Sequence, residues 1–350
     1  MRKRALIAAG GTGGHFYPGL VAALELKRRG WEPLLIVRKD DPARAKLEAE
    51  GLACLEVDLV GMPRRAAGMI SFLGKLLGSM RLMSKVARDF KPDLVVGMGG
   101  YLTFPVAYAG FRRGVPIALH ESNVMLGLAN RAAAWFGATI FWGLPPLVGG
   151  GNVVGTPVRP ALFERKDPQK SREKFGLDPK MKTILVFGGS QGAKALNDEM
   201  PKAMKANGIK AQVLHLAGKG NSNAVLNAYA DAGVRASVLD YLDDMAAAYA
   251  AADIVVCRAG ASTLAELAAQ RKTAVLVPYP HAAANHQDAN ARVFERNKTA
   301  RRIPETDLSD GLGPLLADML KSPTADYISL GLPPAEATTS TFVDQLEKLL

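Results

Sequence analysis

Short apolar runs alternate with amphipathic stretches along the whole chain of 350 residues. The runs predict buried strands, and the stretches between them predict helices. Strands that alternate with helices are typical of βαβ units and a parallel sheet. The predicted strands are Arg4–Ala9, Leu34–Val37, Leu94–Val96, Ile117–Leu119, Ala138–Trp142, Thr183–Phe187, Val213–Leu216, Ile254–Cys257 and Ala274–Val277. The predicted helices are Leu20–Arg29, Ala43–Gly51, Ile70–Phe90, Ala195–Asn207, Asn221–Ala232 and Leu264–Gln270.

A divergent internal repeat indicates two similar domains. Asp93–Val96 is matched 160 positions later by Asp253–Val256, and the glycine-rich segment Gly10–Gly14 is echoed by Gly188–Gly192. Each echo of the glycine-rich segment follows a predicted strand and precedes a predicted helix. We therefore expect an α/β protein of two doubly wound parallel-sheet domains. The expected divisions are residues 1–161, residues 162–335 and a C-terminal helix within 336–350 that could cross back to the first domain.

The positive charge lies almost entirely in the first half of the chain. The formal net charge is +11, and residues 1–161 contain 21 Lys and Arg against 11 Asp and Glu. Residues 162–350 contain 23 against 22. An excess of this kind favours a polyanionic partner, such as nucleic acid, anionic lipid or a phosphorylated substrate.

Cysteine usage and hydropathy bear on the cellular compartment. The two cysteines, Cys54 and Cys257, form no disulfide framework and fit a reducing cytosol. The uncharged stretch Ala132–Val158 is interrupted by six Gly and three Pro. Because lipid cannot satisfy so broken a backbone, we expect no helix that spans a membrane.

The two glycine-rich turns, Gly10–Gly14 and Gly188–Gly192, are the strongest local signal. Glycines let the backbone approach an anion, and the helix that follows presents N–H groups and a favourable dipole. A dinucleotide site is disfavoured, since Arg38 and Lys39 rather than an acidic residue follow the second strand, and a Walker loop would need a G-K-[ST] ending. His15 follows the first turn. It is either a polar residue at a helix start or an imidazole beside a phosphate or an attacking hydroxyl.

A third strand–turn–helix covers Arg258–Glu266. Here Ser262 or Thr263 can cap the helix, and Glu266 either completes a capping box or accepts two hydrogen bonds from a ribose. Further along, Gln287 and Asn290 are three residues apart on a predicted helix and suit sugar hydroxyls.

No metal site is expected. His281 and His286 are five residues apart, no Cys or Glu joins them, and the chain contains no Asp-x-Asp triplet. A diphosphate would therefore be neutralised by helix N-termini and arginines.

The predicted helix Ile70–Phe90 carries an apolar arc of about 160°, wider than the stripe that a surface helix commonly buries. Basic residues frame this arc, so the helix either packs on the core or docks on an anionic membrane. The charge of this half favours the membrane. The predicted membrane-facing residues are Arg64, Arg65, Ile70, Leu73, Lys75, Leu77, Met80, Arg81 and Phe111.

Seven segments in order resemble the MurG family of peptidoglycan N-acetylglucosaminyltransferases, in glycosyltransferase family 28. The resemblance implies a GT-B fold, in which two Rossmann-like domains face a cleft. It implies transfer of N-acetylglucosamine from UDP-GlcNAc to the 4-hydroxyl of MurNAc in undecaprenyl-diphosphoryl-MurNAc-pentapeptide, the conversion of lipid I to lipid II, with inversion and without a cofactor or metal. The seven segments are Gly10–Pro18, Gly97–Tyr101, His120–Asn123, Gly155–Arg159, Gly188–Gly192, Arg258–Glu266 and His281–Asn290.

The resemblance also implies roles for individual residues. For the implied reaction, we expect His15 as the first candidate and Glu121 as the second to receive the proton of the attacking hydroxyl, and Tyr101, His15 and Asn123 to contact the acceptor. Many relatives have a second Gln where this chain has His286, so the contact beside Gln287 differs. The implied donor contacts, with Asn290 added from its position beside Gln287, are Thr12, Gly13, Gly14, Asn123, Arg159, Ser190, Leu242, Ala261, Ser262, Thr263, Leu264, Glu266, Gln287 and Asn290.

The expected site of action is the cytoplasmic face of the bacterial plasma membrane, with other cell-wall synthesis proteins as partners. Two rival enzymes on the same scaffold are a diacylglycerol glycosyltransferase and a UDP-GlcNAc 2-epimerase. A nucleic-acid-binding protein is the rival from another class. It is disfavoured because Phe and Trp are scattered rather than interleaved with basic residues, so no nucleic-acid partner is expected.

Overall fold

The chain forms two compact units. The computed structural model describes residues 2–10, 13–41, 43–61, 63, 68–189, 191–321 and 330–350. Unit 1 comprises Met1–Arg159 and Leu332–Leu350, and unit 2 comprises Pro160–Gly331. These divisions lie two and four residues before those that the sequence predicts at 161 and 335.

Unit 1 contains a seven-stranded parallel sheet with the order β3-β2-β1-β4-β5-β6-β7. Its strands are β1 (Arg4–Ala8), β2 (Glu32–Arg38), β3 (Ala53–Val57), β4 (Leu94–Gly97), β5 (Ile117–Glu121), β6 (Thr139–Trp142) and β7 (Asn152–Val153). Its helices are α1 (Gly13–Arg28), α2 (Ala43–Ala49), α3 (Met69–Phe90), α4 (Thr103–Arg113), α5 (Leu128–Ala134) and α13 (Thr338–Glu347).

Unit 2 contains a six-stranded parallel sheet with the order β10-β9-β8-β11-β12-β13. Its strands are β8 (Thr183–Phe187), β9 (Gln212–Leu216), β10 (Ala236–Leu239), β11 (Ile254–Cys257), β12 (Ala274–Leu276) and β13 (Ala300–Arg302). Its helices are α6 (Pro168–Lys174), α7 (Lys194–Ala206), α8 (Ser222–Asp231), α9 (Met245–Ala251), α10 (Ala261–Gln270), α11 (His286–Arg296) and α12 (Leu308–Lys321).

The two sheets share one strand order, and the segments of the sequence repeat occupy corresponding positions in them. β4 pairs with β1 as β11 pairs with β8. The aspartates that precede β4 and β11 make equivalent hydrogen bonds, since Asp93 Oδ2 accepts the Arg4 amide at 2.7 Å and Asp253 Oδ2 accepts the Thr183 amide at 2.8 Å. Each carboxylate therefore satisfies the first backbone donor of its central strand.

The apolar runs are continuous because the central strands are covered on both faces. Alternate residues of β1 contribute to two separate cores, Ala5 and Ile7 to one, Leu6 and Ala8 to the other. The first core includes residues of α1 and α13, and the second includes residues of α3 and α4.

The C-terminal helix α13 is an integral part of unit 1. Arg29, just after α1, forms ion pairs with Asp344 at 2.6 Å and Glu347 at 2.8 Å. The fully buried residues of α13 are Phe342, Val343 and Leu346.

Two predicted helix starts are wrong by three residues or more, and the other predicted elements agree with the structure to within two residues at each end. Helix α1 begins at Gly13, seven residues before the predicted start, because the glycines and Pro18 of its first turns weaken the helical pattern. Helix α10 begins at Ala261, three residues earlier than predicted. Within the described ranges, no helix has the length and apolar character needed to cross a membrane.

Candidate active site

His15 lies in the first turn of α1, and its ring is held by the backbone after β4. Its Nδ1 lies 2.9 Å from the carbonyl oxygen of Met98. A Cβ added to Gly99 would lie 2.8 Å from ring atoms of His15, and one added to Gly100 would lie 3.2 Å from the ring. Both glycines have positive φ, +94° and +73°. The backbone of Gly97–Tyr101 thus forms a surface that holds the imidazole, which we call the His15 seat. No local sequence signal reveals this contact.

This seat fixes the tautomer of the His15 ring. A carbonyl oxygen can only accept a hydrogen bond, so Nδ1 carries the hydrogen. In the neutral ring, Nε2 then carries the lone pair. The geometry therefore suits His15 to accept a proton at Nε2.

Glu121, at the end of β5, is only 3% exposed, and its carboxylate accepts four hydrogen bonds. The donors are the Asn123 amide at 3.1 Å, Asn123 Nδ2 at 2.9 Å, the Gly127 amide at 2.9 Å and Asn130 Nδ2 at 2.9 Å. Since N–H groups occupy the lone pairs of the carboxylate, this arrangement favours a role in positioning Asn123 over one as proton acceptor.

Two more predicted residues of unit 1 lie beside aromatic or charged neighbours. The guanidinium of Arg159 lies 4.7 Å from the ring centre of Tyr17, as expected for a cation–π contact. Tyr101 is half-buried, and this burial raises the pKa of its hydroxyl. Tyr101 therefore keeps its proton at neutral pH and can donate a hydrogen bond.

In unit 2, the predicted capping roles at α10 are wrong. The residue that caps α10 is Gly260, which has no side chain to cap with, and Ser262 and Thr263 lie in the first turn. Glu266 lies in the second turn, too far along for a capping box. Its Oε2 accepts the hydroxyl of Tyr249 at 3.0 Å. The carboxylate is therefore oriented by Tyr249 of the neighbouring helix α9, and ribose binding stays a prediction.

The other predicted donor residues of unit 2 differ in exposure. Leu242 is half-buried in the loop between β10 and α9. Leu264 is fully buried, and its amide donates to the Gly260 carbonyl at 3.0 Å, which disfavours the predicted donor contact at Leu264. Gln287 accepts the Tyr279 amide at 3.0 Å, which leaves its NH₂ end to meet a ligand.

Asn290 is placed unexpectedly. It is fully buried, and its Nδ2 donates to the Ala259 carbonyl at 3.3 Å. This placement disfavours the predicted contact with a sugar hydroxyl and ties α11 to the turn before α10.

Four predicted residues, Thr12, Arg64, Arg65 and Ser190, lie outside the described residues. Of the glycines after Thr12, Gly13 is exposed and Gly14 is half-buried at the start of α1. In the part of the chain that the structure describes, no three His, Cys, Asp or Glu side chains are grouped so that they could hold a metal ion.

Helix α3 contacts the core along a narrow face. Its buried residues are Ser79, Met83 and Ala87. In contrast, Ile70 is 86% exposed, Leu73 49% and Leu77 53%. Core packing therefore explains one face of α3 and leaves the predicted membrane-facing leucines on the surface.

The remaining predicted membrane-facing residues are partly or fully exposed, and two of them contact neighbouring side chains. Met80 is half-buried, Arg81 is exposed, and Lys75 forms an ion pair with Asp58 at 2.9 Å. Phe111 of α4 is 54% exposed and stacks on Phe136, with ring centres 5.3 Å apart.

Comparison with known proteins identifies the family. The N-terminal domain of glycosyltransferase family 28 matches residues 5–142, and the C-terminal domain of that family matches residues 183–330. A relative from Halorhodospira halophila is 40% identical over 319 residues, covering 90% of this chain and 88% of its own. One from Elusimicrobium minutum is 37% identical and covers 99% of this chain and 100% of its own. The chain belongs to glycosyltransferase family 28.

Both family-28 relatives are named UDP-N-acetylglucosamine–N-acetylmuramyl-(pentapeptide) pyrophosphoryl-undecaprenol N-acetylglucosamine transferase. The crystal structure of Acinetobacter baumannii MurG resembles this chain with a TM-score of 0.79 at 28% identity, covering 99% of each chain. The glycotransferase of kitacinnamycin, at 16% identity and a TM-score of 0.72, shares the fold.

The family-28 domains contain most of the candidate site. His15, Tyr101, Glu121 and Asn123 fall in the N-terminal match, and Glu266 and Gln287 are among those in the C-terminal match. Arg159 falls between the two matches. Its predicted role therefore depends on the segment Gly155–Arg159 and on its contact with Tyr17.

Proposed function

We propose that this protein transfers N-acetylglucosamine from UDP-GlcNAc to the 4-hydroxyl of MurNAc in undecaprenyl-diphosphoryl-MurNAc-pentapeptide, converting lipid I to lipid II. The observation that carries the proposal is the full-length match, 37% identical over 99% of this chain, to a relative named for that transfer. The seated imidazole of His15 and the oriented carboxylate of Glu266 support it at the level of the site.

The reaction we propose is a single displacement at the anomeric carbon. The acceptor 4-hydroxyl oxygen forms the new bond as the bond to the β-phosphate breaks, which inverts the configuration. The hydroxyl proton passes to Nε2 of His15, and UDP leaves with the electron pair of the broken bond. The hydrogen bond from Nδ1 to Met98 keeps the lone pair on Nε2 and stabilises the imidazolium that forms.

Donor binding has two parts in this proposal. The carboxylate of Glu266 accepts the two ribose hydroxyls, and the backbone of Leu242 pairs with uracil. The N-terminal ends of α7 and α10 stabilise the negative charge that grows on the diphosphate, and Arg159 keeps its predicted role as a donor contact. Glu121 acts indirectly, by holding the amide of Asn123.

The acceptor requires the enzyme to work at a membrane, because its polyprenyl tail stays in the bilayer. We propose that α3 docks on an anionic membrane surface at the cytoplasmic face of the bacterial plasma membrane. Its exposed leucines, Leu73 and Leu77, would enter the apolar boundary, and Arg81 would meet lipid phosphates.

The test is incubation with labelled UDP-GlcNAc and either a lipid I analogue or diacylglycerol. We expect label to enter the lipid I analogue alone, and to do so equally in excess EDTA, because helix N-termini and arginine neutralise the diphosphate. Label in diacylglycerol, or an epimerised sugar nucleotide without transfer, would contradict the proposal. Loss of transfer in EDTA that Mg²⁺ or Mn²⁺ restores would contradict the neutralisation scheme.

A further inference from the structure

A chain of three polar side chains runs through the core of unit 2, away from the residues discussed above. His215 of β9 and Tyr229 of α8 are fully buried, and Asn197 of α7 is 8% exposed. His215 Nδ1 lies 2.9 Å from the hydroxyl of Tyr229, and its Nε2 lies 3.0 Å from Oδ1 of Asn197. Asn197 Nδ2 donates to the Ala217 carbonyl at 3.0 Å.

The direction of each hydrogen bond follows from the last one. Because Nδ2 of Asn197 donates to a carbonyl, its Oδ1 must accept, so Nε2 of His215 carries the hydrogen. Nδ1 of His215 then accepts from the hydroxyl of Tyr229. Burial lowers the pKa of His215 to about 3, so the ring is neutral at physiological pH and this order holds.

The hydrogen-bond chain ends at the Ala217 carbonyl, where the β8–α7 and β9–α8 turns contact each other through their backbones. A Cβ added to Gly192, in the turn between β8 and α7, would overlap the Ala217 carbonyl oxygen. One added to Gly218, in the turn between β9 and α8, would overlap the carbonyl of Gln191. Both glycines have positive φ, +73° and +88°. The Ala217 carbonyl accepts Asn197 Nδ2 at 3.0 Å and Asn221 Nδ2 at 3.3 Å. The backbone of Gln191 and Gly192, which leads into α7, therefore packs against this carbonyl and Gly218.

A glycine-rich turn has wide conformational freedom, and a ligand that needs one conformation loses affinity when that freedom must be removed on binding. An apolar core could fill the same space, but it could not fix the direction of a carbonyl. A fully satisfied hydrogen-bond chain in a low-dielectric core can do so.

We propose that His215 and Tyr229 are positioning residues for the donor diphosphate. Through Asn197 they fix the Ala217 carbonyl, and through it the backbone of Gln191 and Gly192, in the conformation that receives the diphosphate. The inference rests on the proposed function, since it takes UDP-GlcNAc as the donor and this turn as a diphosphate contact.

The test compares the affinities of UDP and uridine in the full-length protein by competition against a fluorescent UDP-GlcNAc analogue. The variants are Tyr229→Phe, which removes only the hydroxyl, His215→Leu, and the double variant. Uridine lacks the diphosphate, so its affinity reports the rest of the site. We expect UDP affinity to fall about five- to tenfold in His215→Leu and less in Tyr229→Phe, with uridine affinity within about twofold of wild type.

The double variant separates positioning from stability. His215→Leu leaves the hydroxyl of Tyr229 buried without its partner, and the second change removes that hydroxyl, so the melting temperature should partly recover. UDP affinity should not recover, because the link to Asn197 is still missing. The matched control is Val213→Ala, fully buried two residues earlier on the same face of β9, which should lower the melting temperature and leave UDP affinity unchanged.

Unchanged UDP affinity in His215→Leu and Tyr229→Phe would overturn the inference. So would an equal loss for uridine, or a UDP affinity that recovers with the melting temperature in the double variant. If His215→Leu does not fold, the comparison of UDP with uridine in Tyr229→Phe decides. A wild-type protein that binds neither UDP nor UDP-GlcNAc would overturn the proposed function itself, which is a distinct result.

Discussion

The imidazole of His15 packs against the backbone of Met98, Gly99 and Gly100. A substitution at Gly99 therefore tests the position of the ring as directly as a substitution of His15 itself. A Cβ on Gly99 would lie 2.8 Å from two ring atoms. We therefore predict that Gly99→Ala displaces the ring and lowers kcat as His15→Ala does, by about 10²–10⁴-fold, the usual contribution of a general base. The affinity for UDP-GlcNAc should stay within a few-fold, and steady-state kinetics with a lipid I analogue measures both.

The matched control is Gly114→Ala at the end of α4. Gly114 also has a positive φ, +65°, but a Cβ there would meet nothing within 4 Å. This variant shares the backbone strain without touching His15, so its kcat should be near that of wild type. A wild-type kcat in Gly99→Ala, or an equal loss of kcat in Gly114→Ala, would contradict the claim that the backbone at Gly99 positions His15 for catalysis.

The carboxylate of Glu266 offers a second test on a single side chain. Glu266→Ala should lower the melting temperature, because it leaves the buried hydroxyl of Tyr249 without its acceptor. It should also weaken UDP binding by about 1.5–3 kcal/mol, the range for hydrogen bonds to a charged group. Calorimetry with UDP measures the effect, and Glu173→Ala, an exposed glutamate on α6, is the control. Equal UDP affinity in Glu266→Ala and wild type would exclude the ribose role.

At the level of elements, α3 offers the clearest separation of surface from core. Leu73 and Leu77 are about half exposed, so Leu73→Ser with Leu77→Ser should cost little stability. The double variant should lose most of its co-sedimentation with anionic vesicles, because the apolar face that would enter the membrane boundary is gone.

The control for α3 is Leu226→Ser on α8 of unit 2, an exposed leucine outside the predicted docking face. It should sediment with vesicles as wild type does, and added salt should release both proteins. If the α3 variant still sediments fully, the helix surface is not a docking face.

The elements that the sequence predicts well are those whose burial is uniform. β8, β9 and β11 are buried along their whole length and give unbroken apolar runs. Helices α4 and α12 escaped prediction, because proline and glycine interrupt their patterns while tertiary packing still holds them helical. β3 was missed because its residues are only partly buried.

The sequence motifs predicted which residues belong to the candidate site, but they did not predict which atoms those residues contact. The motifs named Glu121 and Asn290, but Glu121 binds the loop that follows β5, and Asn290 binds the Ala259 carbonyl, 31 residues away along the chain. The His15 seat likewise depends on the folded chain, since residues 15 and 99 meet only when β1 and β4 pair.

At the scale of the whole molecule, each unit contains a buried neutral histidine that limits stability in acid. Burial lowers the pKa of His120 in unit 1 and of His215 in unit 2 below their unfolded value of 6.5. Between the folded and unfolded pKa values, these histidines are protonated in the unfolded chain and neutral in the folded chain. The free energy of unfolding is therefore unaffected by them above pH 6.5 and decreases as pH falls towards the folded pKa. The free energy of unfolding should fall by roughly 1.4 kcal/mol per pH unit below pH 6.5 for His215, whose pKa is lowered to about 3, and His120 should add to the fall in the same direction.

Urea unfolding between pH 6.5 and 5 measures this slope. The carboxylates with lowered pKa, such as Glu25 and Asp244, act mainly at lower pH and do not obscure the window. His215→Leu should be less stable at pH 7 and show a shallower slope than wild type. An identical slope would mean that the ring takes up its proton in the folded state.

The central claim is a single displacement that joins the donor sugar to the acceptor 4-hydroxyl. The measurement that tests it most directly is NMR of the disaccharide formed from UDP-GlcNAc and a lipid I analogue. The account predicts a β(1→4) bond, with the configuration of the α-linked donor inverted. An α bond, which would require two displacements or a different attack, or a bond to another hydroxyl, would contradict it.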